Sequence, residues 1–207
     1  MKPKWSALFA CCLLFAACSR DQSNGLERCA AVDAGTPVDP LLLAFLSRAR
    51  AAHHLADEHE AAGDLNAAIA PLVELVAGPL PHTGNELAPE VNEVLADTRA
   101  RLADLRSRMG TYDLAFADAE AGLEHATEPN YFRGHLLETE GLVEERRAKS
   151  LEKSDAGAAA RARAHAIELL EQAMSVQARV IDKSGAPSSP AAVPASSASA
   201  RSVNSAR

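Results

Sequence analysis

Two stretches decide how this chain is read: Leu55-Ala56-Asp57-Glu58-His59-Glu60-Ala61-Ala62-Gly63-Asp64-Leu65-Asn66-Ala67-Ala68-Ile69 and Leu102-Ala103-Asp104-Leu105-Arg106-Ser107-Arg108-Met109-Gly110-Thr111-Tyr112-Asp113-Leu114-Ala115-Phe116. Each has Leu followed by a small residue, then a Gly, then a small and an apolar residue. The small residue lets two helices approach, Gly permits a tight turn between them, and the second small residue lets the next pair stack. A third copy is broken. Gly141-Leu142 suits a first helix and Ala166-Ile167-Glu168-Leu169-Leu170-Glu171-Gln172-Ala173 a second, with extra residues between.

Outward from these copies, the residues between 38 and 183 are dominated by Ala, Leu, Glu and Arg, with few aromatics and no alternating run that would predict a strand. Punctuation predicts six helices. Asp39-Pro40 caps and opens the first, which should run to Gly63, and the second runs from Asp64 to Ala77, ended by Gly78-Pro79-Leu80-Pro81. A loop around His82-Thr83-Gly84-Asn85 leads to a third from Pro89 to Met109, and the fourth ends near Thr127. Pro129 opens a fifth that frays near Ser150, and the sixth spans about Ala158 to Lys183. Short connections make neighbours antiparallel, so the expected fold is all-α, three helix hairpins stacked as a short solenoid.

The run Gly110-Thr111-Tyr112-Asp113-Leu114-Ala115, with Glu128-Pro129-Asn130 after it, resembles the tetratricopeptide repeat. The spacing is degenerate, with the surplus between the first two copies falling in the Pro/Gly loop 78–88, and an Ala-rich bundle is the competing reading. The resemblance implies a groove lined by the first helix of each hairpin. The first copy would contribute Arg50, His53, Asp57 and Glu60; the second Asp97, Asp104, Ser107 and Arg108; the third His135, Glu138, Glu145 and Arg146. Chaperone-binding members of that family hold a peptide carboxylate with Lys and Asn at two of these places. Here His53 and Asp57, then Ala100 and Asp104, stand there instead, so that clamp is missing. More acids than bases would favour a partner segment carrying Lys or Arg. Ordinary solvated helix surface is the alternative.

Other chemistry has little support. His53 with Asp57 and His54 with Glu58 could each offer two metal ligands on one helix face, but no His or Cys segment elsewhere supplies a third and fourth, so solvated pairs with a partly buried His59 are expected. No nucleophile elbow or phosphate-cradling Gly loop occurs, and Glu144-Glu145 and Asp118 with Glu120 read as solvated helix faces. Neither a catalytic residue nor a metal or other cofactor is expected.

At the start of the chain, Lys2 and Lys4 precede an apolar run from Trp5 to Ala17 of the length of a signal-peptide core. Leu14-Phe15-Ala16-Ala17-Cys18 resembles the bacterial lipobox, with Phe15 where that family usually has Leu; an ordinary secretory signal and an uncleaved anchor are the competing readings. The resemblance implies cleavage before Cys18 and a diacylglycerol and acyl chain on that cysteine. Ser19 then points to the outer membrane, facing the periplasm. Residues 19–37 read as a tether holding Cys29, an idle thiol or one that pairs with another molecule, and residues 184–207 as a Ser/Ala/Pro tail too poor in apolar side chains to fold. A net charge of −7 argues against a nucleic-acid partner. Two functions follow as expectations: a non-enzymatic envelope adaptor or assembly factor that docks a protein or peptide in the groove, and a structural lipoprotein that braces an envelope complex without one.

Overall fold

The computed structural model describes residues 39–185; the signal segment, Cys18, the tether with Cys29 and most of the tail lie outside them. Six helices follow in order: α1 Pro40–Ala61, α2 Leu65–Ala77, α3 Pro89–Arg108, α4 Tyr112–His125, α5 Tyr131–Leu151 and α6 Ala156–Gly185. The described residues are therefore mostly helical, as the composition predicts. None of their helices is long and apolar enough to cross a membrane.

The helix ends show how local chemistry sets these limits. Asp39 accepts a hydrogen bond from Leu41 N at 2.8 Å and Asp64 one from Ala67 N at 2.9 Å, each satisfying a donor left over at a helix start. The turns of the first two copies are the same object. Gly63 and Gly110 have φ of 79° and 78°, the left-handed region that favours Gly. Asp64 N bonds His59 O at 2.9 Å and Thr111 N bonds Arg106 O at 3.0 Å, closing both helices alike.

Three boundaries differ from the reading of the sequence. Pro129 precedes α5 rather than opening it, because Asn130 takes extended backbone and caps the helix by accepting from Arg133 N at 2.9 Å. The break before α6 shortens to 152–155, where Asp155 accepts from Ala158 N at 2.8 Å and starts the helix at Ala156. The expected loop around residues 82–85 carries a two-residue antiparallel ladder, β1 His82–Thr83 against β2 Glu86–Leu87.

Successive helices pair head to tail. Phe45 packs in one cluster with Leu75, and Ala56 in another with Ala68 and Leu72, so α1 and α2 run in opposite directions. Gly134 lies against Val176 and Gln177, and Gly141 against Ala166 and Leu170, which gives the same sense to α5 and α6. The odd helices also touch one another and run the same way, since His53 meets Thr98 and Glu60 meets Arg108 between α1 and α3, and Ala96 and Ala100 share a cluster with Leu136, Ala103 one with Val143, between α3 and α5. The core is built on small residues at equivalent places: Ala56 and Ala103, like Ala68 and Ala115, are fully buried. Leu102 is fully buried against α2, whereas its counterpart Leu55 is half exposed. Among the described residues no helix precedes α1 to cover it.

Candidate functional site

The side chains assigned to a groove fall into two groups on the face shared by α1, α3 and α5. Toward the C-terminal ends of those helices lies a ladder of ion pairs. Arg101 of α3 reaches Asp57 at 2.5 Å and Glu60 at 3.1 Å on α1; Arg108 also binds Glu60 and is 3.4 Å from Asp104; Arg146 of α5 reaches Asp104 at 2.8 Å. The bond to Arg108, with help from Arg101, holds the Glu60 carboxyl below its ordinary range, and the same bond raises Arg108. Ser107 is a correction. It is buried rather than outward, donating to Asp104 O at 2.7 Å and accepting from Arg146 Nη1 at 2.7 Å. Arg101 was not anticipated. It is one helical turn from Asp97 and from Asp104 or Leu105, so spacing would have placed it on this face.

Toward the N-terminal ends the face opens into a depression of about 350 Å³, bordered by Leu46, Ala49, Arg50, His53, Glu93, Val94, Asp97 and Phe132. Three helices contribute to it. A second, wider hollow on α1 shares Arg50 and His53 and reaches Asp57. Arg50 is exposed and Asp97 half-buried. His53 Nε2 lies 2.9 Å from Thr98 Oγ1, whose own hydroxyl donates to Val94 O at 2.7 Å. With that hydrogen spent, Thr98 accepts, so His53 carries its proton on Nε2 and leaves Nδ1 as an acceptor. Burial lowers the His53 pKa; Asp97 and Asp57 raise it and Arg101 lowers it further. The remaining expected positions are on α5. His135 stacks on exposed Tyr131 at 5.9 Å between ring centroids, Glu138 is half-buried and Glu145 exposed.

Two carboxylates read as solvated surface are buried, which corrects that expectation. Asp118 is 1% exposed and receives Arg99 at 2.7 Å and Arg106, both from α3. Glu144 is 5% exposed, with His165 Nδ1 of α6 donating at 3.0 Å. Glu120 and Glu145, their sequence neighbours, are exposed. Helical spacing held the signal: Ala115, Asp118, Ala119 and Gly122 make one buried stripe, and Leu137, Gly141, Glu144 and Ala148 another. Asp118 joins α3 to α4 and Glu144 joins α5 to α6, so both brace the helices that carry the depression.

Near Glu144, burial pushes the Glu140 carboxyl above its ordinary value of 4.5; His165 opposes this, while Glu144 and Glu120 add to it. A raised folded value means that the stability contribution is complete below the unfolded value and is lost as pH rises through the folded one. Glu140→Gln should therefore raise the midpoint of thermal unfolding at pH 7 but not at pH 4. Equal shifts at both pH values would contradict this origin.

No group of three or more His, Cys, Asp or Glu residues among those described is arranged to hold a metal ion. Compared with family models, curated proteins and solved structures, the chain matches none.

Proposed function

We propose that this chain is an envelope lipoprotein, anchored through lipid on Cys18 and facing the periplasm, whose helical domain acts as a protein-interaction adaptor or assembly factor. On this reading its three hairpins form a short solenoid of degenerate tetratricopeptide-like repeats. The equal turns at Gly63 and Gly110 and the side-by-side packing of the odd helices support that fold. The observation that carries the function is the depression to which α1, α3 and α5 all contribute. A hollow bordered by one helix from every hairpin, apolar within and polar at its margins, suits a docked segment better than a reaction.

A second reading has its own observation. Ile167, Met174 and Ile181 are 58%, 69% and 69% exposed and recur every seven residues on α6, to one side of its buried face of Ala162, Ala166, Leu169, Ala173 and Val176. A lipoprotein that braces a complex would use such an outer stripe.

Two measurements test these proposals. Cys18→Ser should move the protein out of the membrane fraction or leave it unprocessed, and unchanged fractionation and maturation would defeat the lipid anchor. For the docking face, a photo-crosslinking side chain in place of Arg50 should capture a discrete envelope partner in intact cells, whereas one in place of Met174 should not. Capture from Met174 alone would favour the bracing role.

A further inference from the structure

The two halves of the α1/α3/α5 face differ in one respect that bears on what could dock there. In the ladder half, Asp57, Glu60 and Asp104 are satisfied by Arg101, Arg108 and Arg146. A cationic partner would have to displace an arginine already in place, gaining one ion pair by losing another. In the open half, Glu93 and Asp97 stand one helical turn apart on α3 beside the depression, and neither takes part in an ion pair among the described residues. Leu46 and Ala49 of α1, Val94 of α3 and Phe132 of α5 border the same depression.

Resting on the docking-face reading, we infer that the open half seats a protein segment carrying one bulky apolar side chain next to a Lys or Arg. The apolar side chain packs on Leu46, Val94 and Phe132. The adjacent cation meets Glu93 and Asp97. Polarity across the hollow argues for this occupant. The α3 wall offers two carboxylates, and His53, fixed by Thr98 as an Nε2 donor, adds an Nδ1 acceptor from α1. Arg50, the lone cation among the described residues bordering the hollow, comes from α1 while both carboxylates come from α3, and it forms no ion pair with either, so it suits a backbone carbonyl of the segment. A cation leaving water for this site gains two carboxylates, whereas an anion would face Glu93 and Asp97. A volume of about 350 Å³ is near the small end of the range for ligand sites, which is roughly 300–1,000 Å³. It suits one or two anchoring side chains, and the rest of the segment would pass over the surface.

The test uses the full chain in mild detergent and three fluorescein-labelled, end-capped peptides: Gly-Ser-Leu-Lys-Lys-Ser-Gly, the same peptide with Glu for both Lys, and the same peptide with Gly for Leu. Fluorescence anisotropy should show the Leu-Lys-Lys probe binding at least about 10-fold more tightly than either other probe, a difference of about 1.4 kcal/mol. Glu93→Gln with Asp97→Asn should remove the preference for Lys while leaving the unfolding midpoint unchanged. Asp57→Asn should keep that preference, since the ladder takes no part. Equal binding of the three probes would overturn the inference, as would a preference lost with Asp57→Asn but retained in the Glu93/Asp97 variant. Crosslinking from Arg50 separates this from the underlying reading. If partner capture persists while the probes bind alike, the docking face stands and the chemistry assigned to its occupant falls; if capture is also absent, the docking face falls with it.

Discussion

Asp118→Ala should lower the free energy of unfolding by about 3 kcal/mol. Breaking a buried ion pair from one side costs roughly 3–5 kcal/mol, because the remaining charge keeps its desolvation penalty without its partner. The lower end applies here, since the side chains of Arg99 and Arg106 are 27% and 18% exposed and water can partly solvate the guanidinium groups once Asp118 is gone. Two arginines of α3 would then face the small-residue surface of α4 with nothing between them to neutralise either. Urea unfolding followed by circular dichroism checks this: the midpoint should fall while the slope stays constant. A loss below about 1 kcal/mol would mean that the triad behaves as surface ion pairs do. Replacing all three residues together, with Met for both arginines and Leu for Asp118, should recover much of the loss, as apolar substitutes for buried pairs often do.

Gly122→Val should be the next most damaging change. A Cβ at this position would lie 2.5 Å from Leu136 Cδ2 and 3.0 Å from Arg99 Cβ, so α4 has to withdraw from both α3 and α5. Leu136 is fully buried and cannot swing into solvent. Overpacking of this kind costs about 1–3 kcal/mol, and the better helix propensity of a residue other than Gly offsets less than about 1 kcal/mol of it. Gly157→Ala provides the contrast. Its added Cβ meets side-chain atoms only at 3.4 and 3.6 Å, and the change should be neutral or mildly stabilising. If the two variants shift the unfolding midpoint alike, close approach of helices is not why Gly stands at 122. Because α4 is wedged between α3 and α5, the same variant should also disturb the spacing of Val94 and Phe132 across the depression.

Gly122 and Asp118 also show where a reading of the sequence stops. Turn glycines announce themselves: Gly63 and Gly110 each separate two helix-forming runs, and both adopt the left-handed backbone that their position suggested. Gly122 lies within a helix-forming run and carries no such punctuation. Its role depends on Leu136 and Arg99, which arrive from other helices. Asp118 reads as solvated because most aspartates on charged helices are. Only its place between Ala115 and Ala119 in a buried stripe, and the arrival of two arginines from α3, make burial tolerable.

The candidate site divides in the same way. Arg50, His53, Asp57, Glu60, Asp97, Asp104, Arg108 and Arg146 were assigned to one face by repeat position, and contacts or shared depressions bring these residues together across α1, α3 and α5. Repeat position could not say which of them are already paired. Arg101 is equivalent to His54 of the first copy, a position not assigned to the groove, yet it spans α1 and α3 and neutralises two acids at once.

By itself, the order of residues determined what depends on near neighbours along the chain: helix-forming composition, caps at Asp39 and Asp64, and the turns at Gly63 and Gly110. These are decided within a few residues, where backbone sterics and side-chain caps act. Only the tertiary structure decided which charges are spent and which remain available. Ion pairing depends on distances of a few ångströms between helices far apart in sequence, and a guanidinium at the end of a long side chain can satisfy any of several carboxylates until packing selects one. Packing here turned half of an acidic face into a closed ladder and left Glu93 and Asp97 beside an apolar hollow.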